Sequence, residues 1–133
     1  MIRYLLDTDI TSFVLKRYSS DLRRRVLALP EEDWAVSAIT CAELLFGLES
    51  LPTFHPTRVK VDDFLESVNT LPWPVEAATP YANIRYSTRQ QPLQDRDMLI
   101  AAHAIALDAT LVTNNTRHFS RMGGDLRYEN WLT

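Results

Sequence analysis

The chain carries an aspartate, Asp97, at the head of ten residues without a charge, "MLIAAHAIAL" from Met98 to Leu107. Only His103 among them is clearly polar. A helix with so little polar surface has to be covered on nearly all sides, so it belongs inside a layered fold rather than on the outside of one. Two roles are open to Asp97 itself. It can serve as an N-cap, satisfying free amides and the positive end of the helix dipole, or it can hold something else in an interior that would not otherwise accept a carboxylate.

The remaining segments say what covers that helix. "IRYLL" (Ile2 to Leu6), "WAVS" (Trp34 to Ser37) and "TLVT" (Thr110 to Thr113) are short apolar runs that read as buried strands. "WPV" (Trp73 to Val75) is a further strand candidate and "LRYENW" a fringe strand. Between them lie segments with helical spacing: "DITSFVLKR", then "SDLRRRVLAL" with Ser20 or Asp21 as cap, then "AITCAELLFGLESL". Arg58 to Asn69 places Val61, Phe64, Leu65 and Val68 on one face, and Ala77 to Arg89 turns Tyr81, Ile84 and Thr88 inward. Strands alternating with helices predict an α/β fold, a three-layer α/β/α sandwich on a mainly parallel sheet. At 133 residues and 46% hydrophobic, the whole chain, residues 1–133, is expected to form a single domain.

Bulk composition narrows the setting. Cys41 is the only cysteine, which rules out an internal disulfide and a thiolate zinc cluster. No stretch is long and apolar enough for a membrane span, and "MIRYLLDTD" is charged too early for a signal peptide, so a cytoplasmic protein is expected. The formal charge of −3 argues against broad electrostatic attraction to nucleic acid. It leaves room for a local site, because arginines cluster at Arg23 to Arg25, at Arg85, Arg89 and Arg96, and at Arg117 and Arg121. Arginine suits bidentate contacts to phosphate, and it equally suits a solvated surface.

In parallel α/β sheets, functional groups gather beyond the carboxyl ends of the strands. Asp7 follows the first strand directly, and Asn114 and Asn115 follow "TLVT" in the same way. Asp97 heads the helix that leads back to that strand. Glu43 shares a narrow stripe with Thr40, Gly47 and Ser50 on a helix otherwise covered by Ile39, Ala42, Leu45, Phe46 and Leu48. The stripe faces either water or an internal polar pocket. Three acids brought together repel one another and resist ionising when buried. A hard divalent cation such as Mg²⁺ or Mn²⁺ resolves the conflict, since it prefers oxygen ligands and keeps several waters. Such a site hydrolyses phosphodiesters without a catalytic histidine. Of the three histidines, His55 lies in a Pro-rich loop, His103 reads as a core residue, and His118 beside Arg117 stands near a substrate only if the fold brings it there.

Taken together, "YLLDTDI", "ITCAELLFGLE", "DMLIAAHAIALDATLVTNNTRHFSRMGG" and "YENW" resemble, in order, a PIN-domain ribonuclease, and more narrowly the VapC toxins of toxin–antitoxin pairs. The resemblance runs from Ile2 to Trp131. It implies metal-dependent endonuclease action on structured RNA, tRNA above all, with Mg²⁺ or Mn²⁺ as cofactor. It implies a VapB-type antitoxin as partner and a homodimer as the toxin's own unit. Carried over by position, the acids are Asp7, Glu43 and Asp97, with Asp7 and Asp97 the most direct metal ligands. The fourth member of the quartet is Asn115, which orients a ligand water, and Thr113 or Thr8 supplies a hydroxyl. Arg85, Arg89, Arg96 and Arg117 are the candidates for holding RNA phosphates.

Three departures from the family pattern stand out. The fourth position is Asn115 where Asp is frequent. Asp9 replaces a common Asn two residues after the first acid, and is either a helix starter or a supporting carboxylate. The loop "RQQPLQDRD" contains no glycine and adds Asp95 two residues before Asp97. Two rival readings remain at this level. "YLLDTDIT" also resembles the haloacid-dehalogenase-type pattern, with Asp7 as nucleophile and Asp9 as general acid/base. The lysines of the chain, however, are only Lys16 and Lys60, and "GGDLRYEN" offers no acidic pair. The other rival is a non-catalytic PIN-like module that binds RNA or a partner without cutting.

Overall fold

A computed structural model describes residues 1–132. Among them, five short strands form one parallel sheet in the order β3-β2-β1-β4-β5. The strands are β1 (Tyr4–Leu6), β2 (Trp34–Ser37), β3 (Thr70–Leu71), β4 (Thr110–Val112) and β5 (Tyr128–Glu129). β1 lies at the centre. Leu5 is level with Ala35 on one side and Leu111 on the other. The chain leaves β1 toward β2 and β3 in one direction and returns through β4 and β5 in the other. The crevice between β1 and β4 is therefore the topological switch point, where α/β sheets place their ligands.

Helices cover both faces: α1 (Thr8–Leu15), α2 (Ser20–Leu27), α3 (Ala38–Leu48), α4 (Pro56–Ser67), α5 (Ala78–Ser87), α6 (Asp95–Leu107) and the single turn α7 (Thr116–Phe119). The period-two alternation of the strands divides the core in two. Leu5, Ala35 and Leu111 point to the layer of α5 and α6, where they meet Ile84, Met98, Ile100 and Ala104. Leu6, Val36 and Val112 point to the opposite layer and pack with Ile10, Val14, Leu22 and Val26. A satellite cluster of Leu44, Leu48 and Val61 joins α3 to α4. The expected three-layer α/β/α arrangement is present, and the uncharged run after Asp97 is the buried part of α6, with Met98, Ile100, Ala101, Ala102, His103 and Ala104 all enclosed. No helix is long and apolar enough to cross a membrane among the described residues.

Several local expectations are corrected. "WPV" is not a strand: Pro72 and Pro74 carry no amide hydrogen for a ladder, β3 lies earlier at Thr70–Leu71, and Val75–Ala77 is a 3₁₀ turn. The Trp73 indole instead donates to the Leu99 carbonyl at 2.9 Å. Helix α2 is capped by Ser19, whose hydroxyl accepts from the Leu22 amide, and not by Ser20 or Asp21. In α3 the apolar coat is only partly buried: Leu44 and Leu48 face inward, whereas Phe46 is 75% exposed. Asp97 does not cap α6. The helix starts at Asp95, with Gln94 as N-cap and no side-chain capping bond.

Candidate active site

Asp7 stands at the carboxyl end of β1 and is the N-cap of α1, so one residue ends the central strand and starts the next helix. Its Oδ1 accepts from the Ile10 amide at 2.8 Å. Its backbone amide donates to the Val112 carbonyl at 3.0 Å, and its carbonyl accepts from Thr11 in α1. These bonds fix the carboxylate at the switch point with only 4% of the residue exposed. Burial pushes its pKa up to about 7, against the opposing pull of hydrogen bonds from Thr113 and Ile10; the negative charges of Asp9 and Asp97 raise it further. Asp7 is thus a carboxylate without a basic partner, held where charge is costly.

Asp97 lies in the first turn of α6, 8% exposed. Burial raises its pKa as well, while a hydrogen bond from His118 and the Arg96 charge act against that. A helix N-terminus already favours negative charge there. Glu43 comes from the middle of α3, which the Thr8–Thr40 hydroxyl pair, 3.1 Å apart, ties to α1. Of the stripe that carries Glu43, Glu43 and Gly47 line a groove of about 430 Å³ between α1, α3 and α4, together with Asp9, Arg96, Leu44, Leu48 and Val61.

Asn115 follows β4. Its backbone amide donates to the Thr113 hydroxyl at 2.9 Å, and its side-chain amide lies 2.8 Å from His118 Nδ1. The same nitrogen is 3.5 Å from Asp97 Oδ2. His118 thereby joins the site, a placement that no pattern in its neighbourhood demanded. The available signal was its position three residues after Asn115, which puts the two on one face of a helical turn.

The arginines separate. Arg96 lies among the acids, its guanidinium facing Asp9, Glu43 and Asp97. Arg117 is exposed on α7, beside His118. Arg85 donates to the Tyr81 hydroxyl, which in turn donates to Asp95. Arg89 stacks on the Tyr86 ring at 3.8 Å. Asp95 is therefore engaged away from the acids. Asp9 is not a cap; it sits in the first turn of α1 and leans on Arg96 at 3.8 Å.

The donor set suits a hard divalent cation: carboxylate oxygens from three helices, a neighbouring amide, and a buried Asp7 that lacks a countercharge. Among the described residues, no three acidic or imidazole side chains stand ready around one point. Three of the carboxylates face the Arg96 guanidinium instead.

The sequence profile of the PIN domain matches residues 4–125. The chain belongs to the PIN-domain family. Within the family its similarity is to the VapC ribonucleases. It is 33% identical to the tRNA(fMet)-specific endonuclease VapC of Shigella flexneri, over 98% of this chain and 99% of that one. It is 32% identical to ribonuclease VapC2 of Rickettsia felis, over 96% and 97%. Among solved structures, DNA-bound VapBC from Salmonella typhimurium superposes with a TM-score of 0.88 at 30% identity, covering 98% of this chain and 99% of that one. VapBC2 from Rickettsia felis, bound to a DNA fragment, gives 0.86 at 31%, again over 98% and 99%. PIN membership overturns the haloacid-dehalogenase-type reading of "YLLDTDIT".

Proposed function

We propose that this PIN-domain protein is an Mg²⁺- or Mn²⁺-dependent endoribonuclease, the toxin of a toxin–antitoxin pair, acting on structured RNA with tRNA as first candidate. The observation that carries the reading is twofold: Asp7, at the switch point of the sheet, feels the charge of Asp97, and Asp97 and Glu43, 54 residues apart in the chain, both face the Arg96 guanidinium. The curated name of the Shigella relative, a tRNA-specific endonuclease, supports the substrate class. The VapBC complexes among its structural relatives support a VapB-type antitoxin as partner. A homodimer acting in the cytoplasm is part of the same proposal.

In this reading Asp7 and Asp97 hold the ion, and Glu43 completes the site. The ion, when bound, supplies Lewis acidity to the phosphoryl group and acidifies water. The chain's own residues do the rest. Thr113 keeps Asp7 oriented, His118 steadies Asp97, and Asn115 aligns a water through its amide. Arg117, next to His118 on α7, serves as a phosphate contact, together with Arg85 on α5 and Arg89 just beyond its end. In-line attack would leave a 5′-phosphate and a 3′-hydroxyl.

The test is cleavage of a labelled tRNA pool by the purified protein with Mg²⁺ or Mn²⁺, set against EDTA and the Asp97→Asn variant. Cutting at discrete sites that needs both metal and Asp97 is the expected result. Cutting that survives EDTA or the variant overturns the assignment of the site.

A further inference from the structure

Arg96 precedes Asp97 in the first turn of α6, and its side chain is 34% exposed. Its three nitrogens each face a different carboxylate. Nη2 is 3.8 Å from Asp9 of α1, Nη1 is 3.4 Å from Glu43 of α3, and Nε is 3.6 Å from Asp97 of α6. An ordinary surface ion pair joins one cation to one anion and contributes little. Here one cation gathers acids from three helices that would otherwise repel one another.

The contacts are also long. Charge-assisted hydrogen bonds of guanidinium to carboxylate lie near 2.7–2.9 Å, whereas Nε is buried without any hydrogen-bond partner. Net charge holds this side chain in place more than directional bonding does, so it is held without being locked. Arginine also keeps its charge at any working pH. A divalent cation seeks the same oxygens with twice the charge, and a guanidinium left among them would repel it.

We infer that Arg96 is a resident counter-cation of the acidic site, one that keeps Asp9, Glu43 and Asp97 together in the metal-free protein and has to withdraw for a divalent ion to bind. Arg96 then sets how tightly this chain takes its metal. The inference rests on the metal-site reading proposed above.

Titration of Mn²⁺ into the metal-free protein by calorimetry tests it, comparing wild type, Arg96→Gln, Arg96→Lys and Arg85→Gln, with Asp97→Asn as the site control. Circular dichroism checks that each variant is folded. Arg96→Gln is expected to bind Mn²⁺ roughly tenfold more tightly than wild type, the scale of one nearby charge at partial exposure. Arg96→Lys falls between the two, because a single ammonium point does not span three acids, and it decides the matter if Arg96→Gln does not fold. Arg85→Gln stays at the wild-type affinity. Equal or weaker binding by the folded Arg96 variants, or equal tightening by Arg85→Gln, overturns the role of Arg96 and leaves the metal site standing. Mn²⁺ binding that Asp97→Asn does not weaken, or no binding by any of the proteins, overturns both readings.

Discussion

The His118 imidazole stands against the Asp97 carboxylate, Nδ1 to Oδ2 at 3.5 Å, and the same nitrogen touches the Asn115 amide at 2.8 Å. One ring nitrogen cannot accept a proton from Asn115 and donate one to Asp97 at once. The short contact to Asn115 and the longer one to Asp97 are alternative bonds of one imidazole that links the end of β4 to α6. Partners that orient metal-binding carboxylates typically carry a 10–100-fold effect on affinity or activity. His118→Ala is therefore expected to lower kcat/KM for RNA cleavage by roughly tenfold or more, with Asn or Gln at the position recovering part of it. Wild-type turnover in the alanine variant would remove His118 from the site.

Asp7 makes a separate prediction about stability. Its pKa is about 7 in the folded chain against 3.8 for the free side chain. Below pH 3.8 the group is protonated in both states and costs nothing. As pH rises from 3.8 to 7 the unfolded chain gives up the proton first, so stability falls across that window and levels off above it. Asn caps a helix about as well as Asp and carries no charge. Asp7→Asn should therefore lose cleavage yet exceed wild type at pH 8 in EDTA by about 2 kcal/mol or more. Urea unfolding at pH 5 and pH 8 reads this directly, and a variant weaker than wild type at pH 8 contradicts it.

His103 tilts the same curve the other way. It is fully enclosed on α6, 2.8 Å from the Ser37 hydroxyl, with Nε2 unpaired, and burial lowers its pKa to about 4. Above pH 6.5 it is neutral in both states. As pH falls from 6.5 to 4 the unfolded chain takes up the proton first, so stability is lost on the acid side. The two slopes oppose each other between pH 4 and 6.5, and the wild-type profile should be shallow there. Asp7→Asn should expose a steep acid-side decline, and His103→Gln the reverse slope. Parallel profiles for the three proteins would refute both assignments.

Metal binding should register without any RNA present. A ligand at a hundred times its Kd stabilises the folded state by about 2.7 kcal/mol, which for a chain of this size is a rise in Tm of roughly 5–10 °C. Mn²⁺ is expected to raise the melting temperature of the wild type and EDTA to reverse it. Asp97→Asn should show little response in the same thermal scan.

Much of this architecture is readable from local chemistry. "WAVS" forms a strand over the residues predicted, because a four-residue apolar run ahead of a helix has few other uses inside an α/β fold. The burial of α6 follows from ten residues without charge. The position of Asp7 after β1 and of Asn115 after β4 follows from where apolar runs give way to polar residues. The errors are equally local. "WPV" has the apolar content of a strand, yet its own Pro74 and the preceding Pro72 deny it the ladder bonds. Phe46 belongs to an apolar helix face that the fold leaves outside, a choice made by which side of α3 packs on α1 and α4 and not by the periodicity of α3.

The acids and the elements that carry them were legible one by one, since each obeys a short-range rule: strand end, helix turn, polar stripe. What those charges meet was not. Arg96 reads as a phosphate-binding arginine from its neighbours in the chain, but its Nη1 lies against Glu43, 53 residues away, and its other nitrogens reach Asp9 and Asp97. His118 reaches Asp97 across the crevice in the same way. Apolar pattern and turn chemistry act over a few residues and are written in the sequence. Coulomb attraction acts through space, and its partners are chosen when the sheet order brings α1, α3 and α6 to one edge.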